Sequence, residues 1–164
     1  MEFLDLINGN DEVVGKVSRS DAHNNASLTH RAVHFTLIDP VSHSVMVSRR
    51  AFSKKHDGGI LCFLGEHVLS GEDYEDATQR GAKEELGIDV TKLFNVGEHV
   101  FSDENFSERI KMFLIEYRQN KPLQPDPAEI AEICWYTRAQ LRTILVSTMA
   151  QYWLDNIDWT AILA

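Results

Sequence analysis

The stretch GEHVLSGEDYEDATQRGAKEELGI, residues 65–88, places acidic side chains at fixed offsets across a loop and a helix. The pattern predicts a helix from about Asp73 to Leu86, which ends at Gly87 because glycine readily forms a left-handed cap. Residues three and four positions apart lie side by side on a helix. In this helix Arg80 and Glu84 are four positions apart, and so are Gly81 and Glu85. These residues therefore lie on neighbouring parts of one face.

The adjacent carboxylates Glu84 and Glu85 indicate a site for a divalent cation. Two like charges at close range raise each other's pKa unless a cation neutralises them, and hard ions such as Mg²⁺ prefer oxygen ligands. The alternative is a solvated amphipathic helix, on which Glu-Glu pairs are common and residues such as Lys83 are expected. Taken alone, Glu84 and Glu85 favour the solvated helix. The flanking sequence favours the cation site instead.

The flanking sequence resembles the Nudix box, in which a glycine, five residues and a glutamate are followed, seven residues later, by Arg-Glu-aliphatic-x-Glu-Glu-x-Gly-aliphatic. The motif is matched by Glu72, Arg80, Glu84, Glu85, Gly87 and Ile88, and Ala82 fills the first aliphatic position acceptably. Two positions depart from the motif. Glu66 stands where the leading glycine is expected, and Gly81 replaces the glutamate that follows the arginine.

The resemblance implies an α/β fold, a Nudix-type α/β/α sandwich with a mixed sheet and a central box helix. It also implies a Mg²⁺ or Mn²⁺ cofactor. In Nudix enzymes the metal is held by glutamates that match Glu84 and Glu85 and by a backbone carbonyl that matches Gly65. Glu72 and Arg80 complete the implied catalytic set as a supporting ion pair.

Gly81 removes a carboxylate that in Nudix enzymes often binds metal or assists the attacking water. Glycine inside a helix costs about 1 kcal/mol relative to alanine, so the substitution is not explained by folding. It makes room for substrate or marks a site whose chemistry has moved or faded, and slow turnover is expected. Restoring Gly81→Glu is expected to raise hydrolysis. Candidates for the missing oxygen are Glu66, Glu104 and Glu108.

The amino-terminal half is similar to the Nudix subgroup that contains isopentenyl diphosphate isomerase. The shared segments include SDAH at residues 20–23, HRA at 30–32 and RRAFSKK at 49–55. The resemblance implies an alternative metal site at His23, His30 and His67, and diphosphate binding by Arg19, Arg50 and Lys54. Histidines bind a metal together only if they converge in space, and ordinary surface or core histidines are the alternative.

The basic segment supports a phosphate site on physical grounds as well. Arg49, Arg50, Lys54 and Lys55 lie within seven residues of an acidic chain, and such a group can bind pyrophosphate oxygens. An exposed charged turn is the alternative.

The isomerase itself uses a cysteine and a glutamate, and Gly65 stands in the place of that cysteine. Isomerase activity is therefore not expected.

Composition agrees with one enzyme-sized domain over residues 1–164. The chain is 43% hydrophobic and carries a net charge of −9, which disfavours binding to nucleic acid or to an anionic membrane. It contains no stretch of about twenty apolar residues and no leader pattern, so a cytoplasmic location is the default expectation. The two cysteines, Cys62 and Cys134, are expected to pack in the core.

Periodicity predicts strands alternating with few helices. Strands are predicted at residues 3–7, 13–17, 30–39, 44–49, 60–64, 95–101, 110–117 and 133–136, a short helix at 20–23, and two carboxy-terminal helices at 139–145 and 147–163.

The leading hypothesis is a metal-dependent pyrophosphohydrolase that cleaves a nucleoside di- or triphosphate or another diphosphate-linked metabolite. An isopentenyl-diphosphate isomerase-like enzyme and a noncatalytic diphosphate-binding module are the alternatives. The exact small-molecule substrate and the oligomeric state stay open.

Overall fold

A nine-stranded mixed β-sheet forms the centre of the fold in the computed structural model, which describes residues 1–119 and 122–164. The strands are β1 (Phe3–Ile7), β2 (Val13–Ser18), β3 (Thr29–Asp39), β4 (Ser44–Arg50), β5 (Leu61–Cys62), β6 (Leu64–His67), β7 (Leu93–Ser102), β8 (Ser107–Glu116) and β9 (Ile130–Thr137). The helices are α1 (Arg19–Ala22), α2 (Tyr74–Leu86), α3 (Arg138–Leu141), α4 (Thr148–Asn156) and α5 (Trp159–Ile162). We call α2 the box helix.

Strand β3 organises the sheet. It pairs antiparallel with β1, β4 and β6, and parallel with β8 along Thr29 to Ile38. Because side chains alternate along a strand, Val33, Phe35 and Leu37 pack on one face, whereas Ala32 packs on the other. Both faces are covered, so consecutive residues such as Ala32 and Val33 are both buried.

Two apolar layers cover the sheet. The box helix packs Ala77, Ala82 and Leu86 onto one face, and the carboxy-terminal helices pack Trp153 and Trp159 onto the other. The predicted α/β sandwich with a mixed sheet and a central box helix is therefore confirmed. Among the described helices, none is both long and apolar enough to cross a bilayer.

The box helix begins and ends where its sequence predicts. The Asp73 side chain accepts a hydrogen bond from the Asp76 backbone N–H, and the Asp76 side chain accepts one from the Asp73 backbone N–H. The two bonds form a capping box. Gly87 ends the helix in the left-handed region at φ 71°. These caps fix the rotation of the helix and hence the face on which its acids lie.

Three predicted elements differ from the structure. The strand expected at residues 60–64 is split into β5 and β6, so Gly65–His67 belong to a strand. The helix expected at residues 139–145 stops at Leu141, because Val146 is drawn into a bridge with Leu61 at the sheet edge. The helix expected at residues 147–163 breaks at Ile157, because Asp158 caps a new helix with bonds to Thr160 and Ala161.

Candidate active site

Arg80 connects the box helix to β6 and to the loop between them. Its Nε donates to Glu72 Oε1 at 2.9 Å, and Nη1 donates to Glu66 Oε2 at 3.1 Å. Its Nη2 donates to the His67 carbonyl at 2.8 Å. Burial alone would raise the pKa of Glu72, but the hydrogen bonds from Arg80 and from the Leu69 backbone hold it below its usual value. The guanidinium therefore holds strand, loop and helix in one arrangement.

Glu85 is a buried carboxylate that faces a second carboxylate. Its residue is 8% exposed, and its side chain meets Glu66 across the gap between the box helix and β6. Burial, together with the negative charges of Glu66 and Glu129, raises the pKa of Glu85 to about 8. Within residues 1–119 and 122–164, no basic side chain forms an ion pair with Glu85. This donor set fits a hard divalent cation, which would neutralise both acids.

The other two predicted metal ligands, Glu84 and Gly65, are the sequence neighbours of Glu85 and Glu66. The Glu84 side chain is 58% exposed, and its Oε2 lies 3.5 Å from Arg80 Nη1. Gly65 is exposed in β6, opposite His34 of β3. A Cβ added to Gly65 would lie 3.0 Å from His34 Cδ2, so the glycine allows the two strands to approach. Both residues are accessible from solvent.

The predicted diphosphate-binding residues divide into two groups. Arg50 Nε donates to the His56 carbonyl at 2.9 Å, and Lys54 pairs with Glu129. The charges of both Arg50 and Glu129 act on Glu85, so the Arg50 and Lys54–Glu129 group lies within electrostatic range of the carboxylate pair. Arg19 instead pairs with Glu2 at 2.8 Å, and its charge acts on His23.

Three histidines and one glutamate form a second cluster, which contains the three residues of the predicted alternative metal site. The possible ligand atoms of His23, His30, His67 and Glu108 all lie within 4.8 Å of one another. His23 Nε2 and His67 Nε2 are 2.8 Å apart, and Glu108 Oε1 lies 3.2 Å from His30 Nε2. The structure therefore brings the three predicted histidines together. Three imidazoles and a carboxylate are a donor set that suits a transition ion.

Burial and hydrogen bonding shift the pKa values of two members of the cluster, Glu108 and His23. Burial disfavours the charged form of Glu108, but hydrogen bonds from His30 and His67 outweigh it and hold its pKa far below the usual range. Burial and the neighbouring His67 lower the pKa of His23. An ionised Glu108 carboxylate close to a His23 imidazole that resists protonation is a pair of donors that suits a metal ion.

The carboxylate site and the histidine cluster lie on opposite faces of β6. Glu66 points to the box helix, where its Cγ would lie 2.6 Å from a Cβ at position 81. The next residue, His67, points the other way, toward His23. Arg80 binds both neighbours, the Glu66 side chain and the His67 carbonyl. One strand thus connects the two sites.

Comparison with known proteins gives the family. A family model described as the NUDIX domain matches residues 28–156. The chain belongs to the Nudix family. An uncharacterised Nudix hydrolase of Yersinia pestis is 31% identical over 136 residues, which are 82% of this chain and 72% of that protein. The predicted resemblance, and with it the prediction of an enzyme of the Nudix hydrolase class, is confirmed.

Two further relatives of this Nudix chain agree with the predicted subgroup and fold. Isopentenyl-diphosphate Delta-isomerase of Brevibacterium linens is 28% identical over 153 residues, which are 88% of this chain and 82% of that protein. The crystal structure of DR0079 from Deinococcus radiodurans has a TM-score of 0.74 at 25% identity and covers 94% of this chain and 99% of its own. The Nudix chain therefore resembles both hydrolases and isomerases along most of its length.

Two features of this Nudix site are not predicted by the sequence. Glu108, a candidate for the oxygen that Gly81 lacks, joins the histidine cluster instead, because β8 places it beside His30. Glu104, another candidate, lies in an exposed turn.

His34 stands in no motif of the sequence. Its Nδ1 accepts a hydrogen bond from Trp153 Nε1 at 2.8 Å, and burial lowers its pKa to about 4.

Proposed function

We propose that this Nudix protein is a Mg²⁺- or Mn²⁺-dependent pyrophosphohydrolase. Its substrate would be a nucleoside di- or triphosphate or another diphosphate-linked small metabolite. The observation that carries the proposal is the buried carboxylate of Glu85, which faces Glu66 without a basic partner among the described residues. Two facing acids are unfavourable at neutral pH, and a divalent cation removes the penalty.

Glu84, Glu85 and the Gly65 carbonyl would hold the ion beside the gap between the box helix and β6. When bound, such a metal polarises a phosphoryl oxygen and lowers the pKa of the attacking water. Arg80 positions the acids, because it binds Glu72, Glu66 and the strand carbonyl at once. It would act through these residues rather than on the substrate.

Arg50 and Lys54 would bind the diphosphate. Each already has a partner in the chain, a carbonyl for Arg50 and the carboxylate of Glu129 for Lys54. Phosphate oxygens offer Arg50 stronger, charge-assisted hydrogen bonds than a neutral carbonyl can, and at Lys54 they would replace one anionic partner by another. Arg19 lies beside the histidine cluster, and we assign it to the part of the substrate that reaches that side.

A second candidate, an isomerase-like enzyme, is favoured by the convergence of His23, His30, His67 and Glu108. The catalytic cysteine of the isomerase has no counterpart at Gly65. Cys62 does not replace it, because its Sγ lies 3.8 Å from Ser48 Oγ of the adjacent strand β4 and burial raises its thiol pKa. A noncatalytic diphosphate-binding module is the third candidate.

A substrate panel separates these candidates. The protein is incubated with nucleoside diphosphates, nucleoside triphosphates, dinucleoside diphosphates and isopentenyl diphosphate, with Mg²⁺ or Mn²⁺, and the products are followed by ³¹P and ¹H NMR. We expect diphosphate cleavage that Glu85→Gln abolishes and that the exposed control Glu75→Gln retains. Double-bond migration without cleavage would support the isomerase instead. A ligand-induced rise in melting temperature without any product would support the binding module.

A further inference from the structure

Glu66 and Gly81 occupy one space between β6 and the box helix. A Cβ added to Gly81 would lie 2.6 Å from Glu66 Cγ, and 2.9 Å from Cε1 of Phe35. Real Cβ atoms do not approach other atoms that closely, so a side chain at position 81 and the present Glu66 side chain exclude each other. The glycine in the middle of the helix is therefore explained by the glutamate on the strand.

These two residues are also the two departures from the box motif. The motif has glycine at position 66 and glutamate at position 81, and this chain has glutamate at 66 and glycine at 81. The exchange keeps one glycine and one glutamate at two facing positions. The carboxylate reaches the gap from the strand instead of from the helix.

Glu66 is held in the gap and faces the proposed metal site. Its strand position is fixed by pairing with Val33 of β3, and its Oε2 accepts from Arg80 Nη1 at 3.1 Å. It meets Glu85, whose residue is nine-tenths buried and has no basic partner among the described residues. The burial of Glu85 beside this gap is a second observation, separate from the position of Glu66, that supports a cation there.

We propose that Glu66 is a carboxylate ligand of the divalent cation and takes the place of the glutamate that the box helix lacks. This assignment rests on the proposed metal-dependent function. It reverses the expectation that Gly81→Glu alone raises activity, because the new side chain would meet Glu66 and Phe35. It also means that the chain has moved a ligand rather than lost one.

The alternative role for Glu66 is a purely structural ion pair with Arg80. Glu66→Gln separates the two roles, because an amide oxygen still accepts from Arg80 but is a much poorer ligand for Mg²⁺ or Mn²⁺. If the pair is purely structural, Glu66→Gln keeps the bond to Arg80, and metal affinity stays intact. A ligand would lose metal affinity at nearly constant melting temperature.

The test measures Mn²⁺ binding by EPR in the full chain without substrate. The variants are Glu66→Gln, Glu66→Gly, Gly81→Glu and the double exchange Glu66→Gly with Gly81→Glu, with Glu75→Gln as control. Because Mn²⁺ can also enter the histidine cluster, ¹⁴N modulation in pulsed EPR distinguishes ions held by nitrogen from ions held by oxygen. Only the oxygen-held population is counted.

We expect Glu66→Gln and Glu66→Gly to weaken the oxygen-held site about tenfold or more, and Gly81→Glu alone to lower the melting temperature. The double exchange should recover most of the affinity. Unchanged affinity in Glu66→Gln, or a double exchange as weak as Glu66→Gly, would overturn the assignment.

The ligand assignment and the hydrolase proposal can fail separately. If Glu66→Gln lacks the oxygen-held site but the wild-type chain cleaves no diphosphate, the ligand assignment stands and the proposed hydrolase fails. If the wild-type chain cleaves diphosphate and Glu66→Gln binds Mn²⁺ with unchanged affinity, the hydrolase stands and Glu66 is not a ligand.

Discussion

The carboxylate of Glu85 in the box helix faces the carboxylate of Glu66 in β6, and burial, with Glu66 opposite, raises the pKa of Glu85 to about 8. The folded chain therefore binds a proton that the unfolded chain releases near its ordinary value of 4.5. In a protein without metal, this acid pair is a source of instability at neutral pH. It is also the feature that makes a cation favourable there.

Stability without metal should depend on pH through Glu85. Below pH 4.5 the residue is protonated in both states, and above pH 8 it is ionised in both, so its contribution falls as pH rises between these values. We expect wild type to lose several kcal/mol relative to Glu85→Gln across this window. Urea unfolding in EDTA at several pH values measures the difference. Parallel curves for wild type and Glu85→Gln would show that the pKa is not raised.

The histidine cluster should bind a transition ion independently of the box helix. Co²⁺ binding, followed by its visible absorption, should weaken at least about 100-fold in His67→Ala and in Glu108→Gln, because each removes a ligand. His56→Ala removes a histidine outside the cluster and is the matched control. Equal Co²⁺ affinity in all three variants would mean that the cluster is held together only by its own hydrogen bonds.

Arg80→Lys should loosen the connection between the box helix and β6. Lysine keeps the charge but loses the planar fork that reaches Glu72, Glu66 and the His67 carbonyl together. Loss of these charge-assisted bonds should cost about 2 kcal/mol of unfolding free energy. Lys83→Gln, which removes an exposed pair with Asp89, should change stability far less. Equal losses in the two variants would argue against the central position of Arg80.

His34 should stay neutral well below its ordinary pKa. Burial lowers its pKa to about 4, and Nδ1 accepts from Trp153 Nε1, so the proton lies on Nε2. Because the pKa of His34 is lower in the folded chain, the stability that the neutral ring contributes is present above pH 6.5 and is lost as the pH falls toward 4. ¹⁵N NMR of the imidazole at pH 5 should show the neutral Nε2–H tautomer. A charged ring at that pH would contradict the assignment.

Local sequence was enough to predict the box helix and most strands. Asp73 and Gly87 mark the helix ends with side-chain and backbone chemistry that acts within a few residues. The carboxy-terminal helices were harder to predict, because the break at Ile157 depends on Asp158, which caps a new helix inside an apolar run. Such a cap competes with helix continuation, and the outcome is decided by packing.

The sites depended on contacts between distant parts of the chain. His30 and Glu108 are 78 residues apart and meet because β8 runs parallel to β3 in one register. His34 and Trp153 are 119 residues apart. Motif spacing identified Glu85 and Arg80, but it could not show that Glu66 fills the space above Gly81. That contact required the register of β6 against β3 and the rotation of the box helix.

The most direct test of the carboxylate metal site is an anomalous difference map at the manganese edge. Crystals are grown with Mn²⁺ and a methylene-bridged diphosphate analogue that resists cleavage. We predict a manganese peak in contact with Glu84, Glu85, Glu66 and the Gly65 carbonyl, with the analogue's phosphonate oxygens on the same ion. Manganese confined to the histidine cluster, with Glu85 and Glu66 free of metal, would contradict the account.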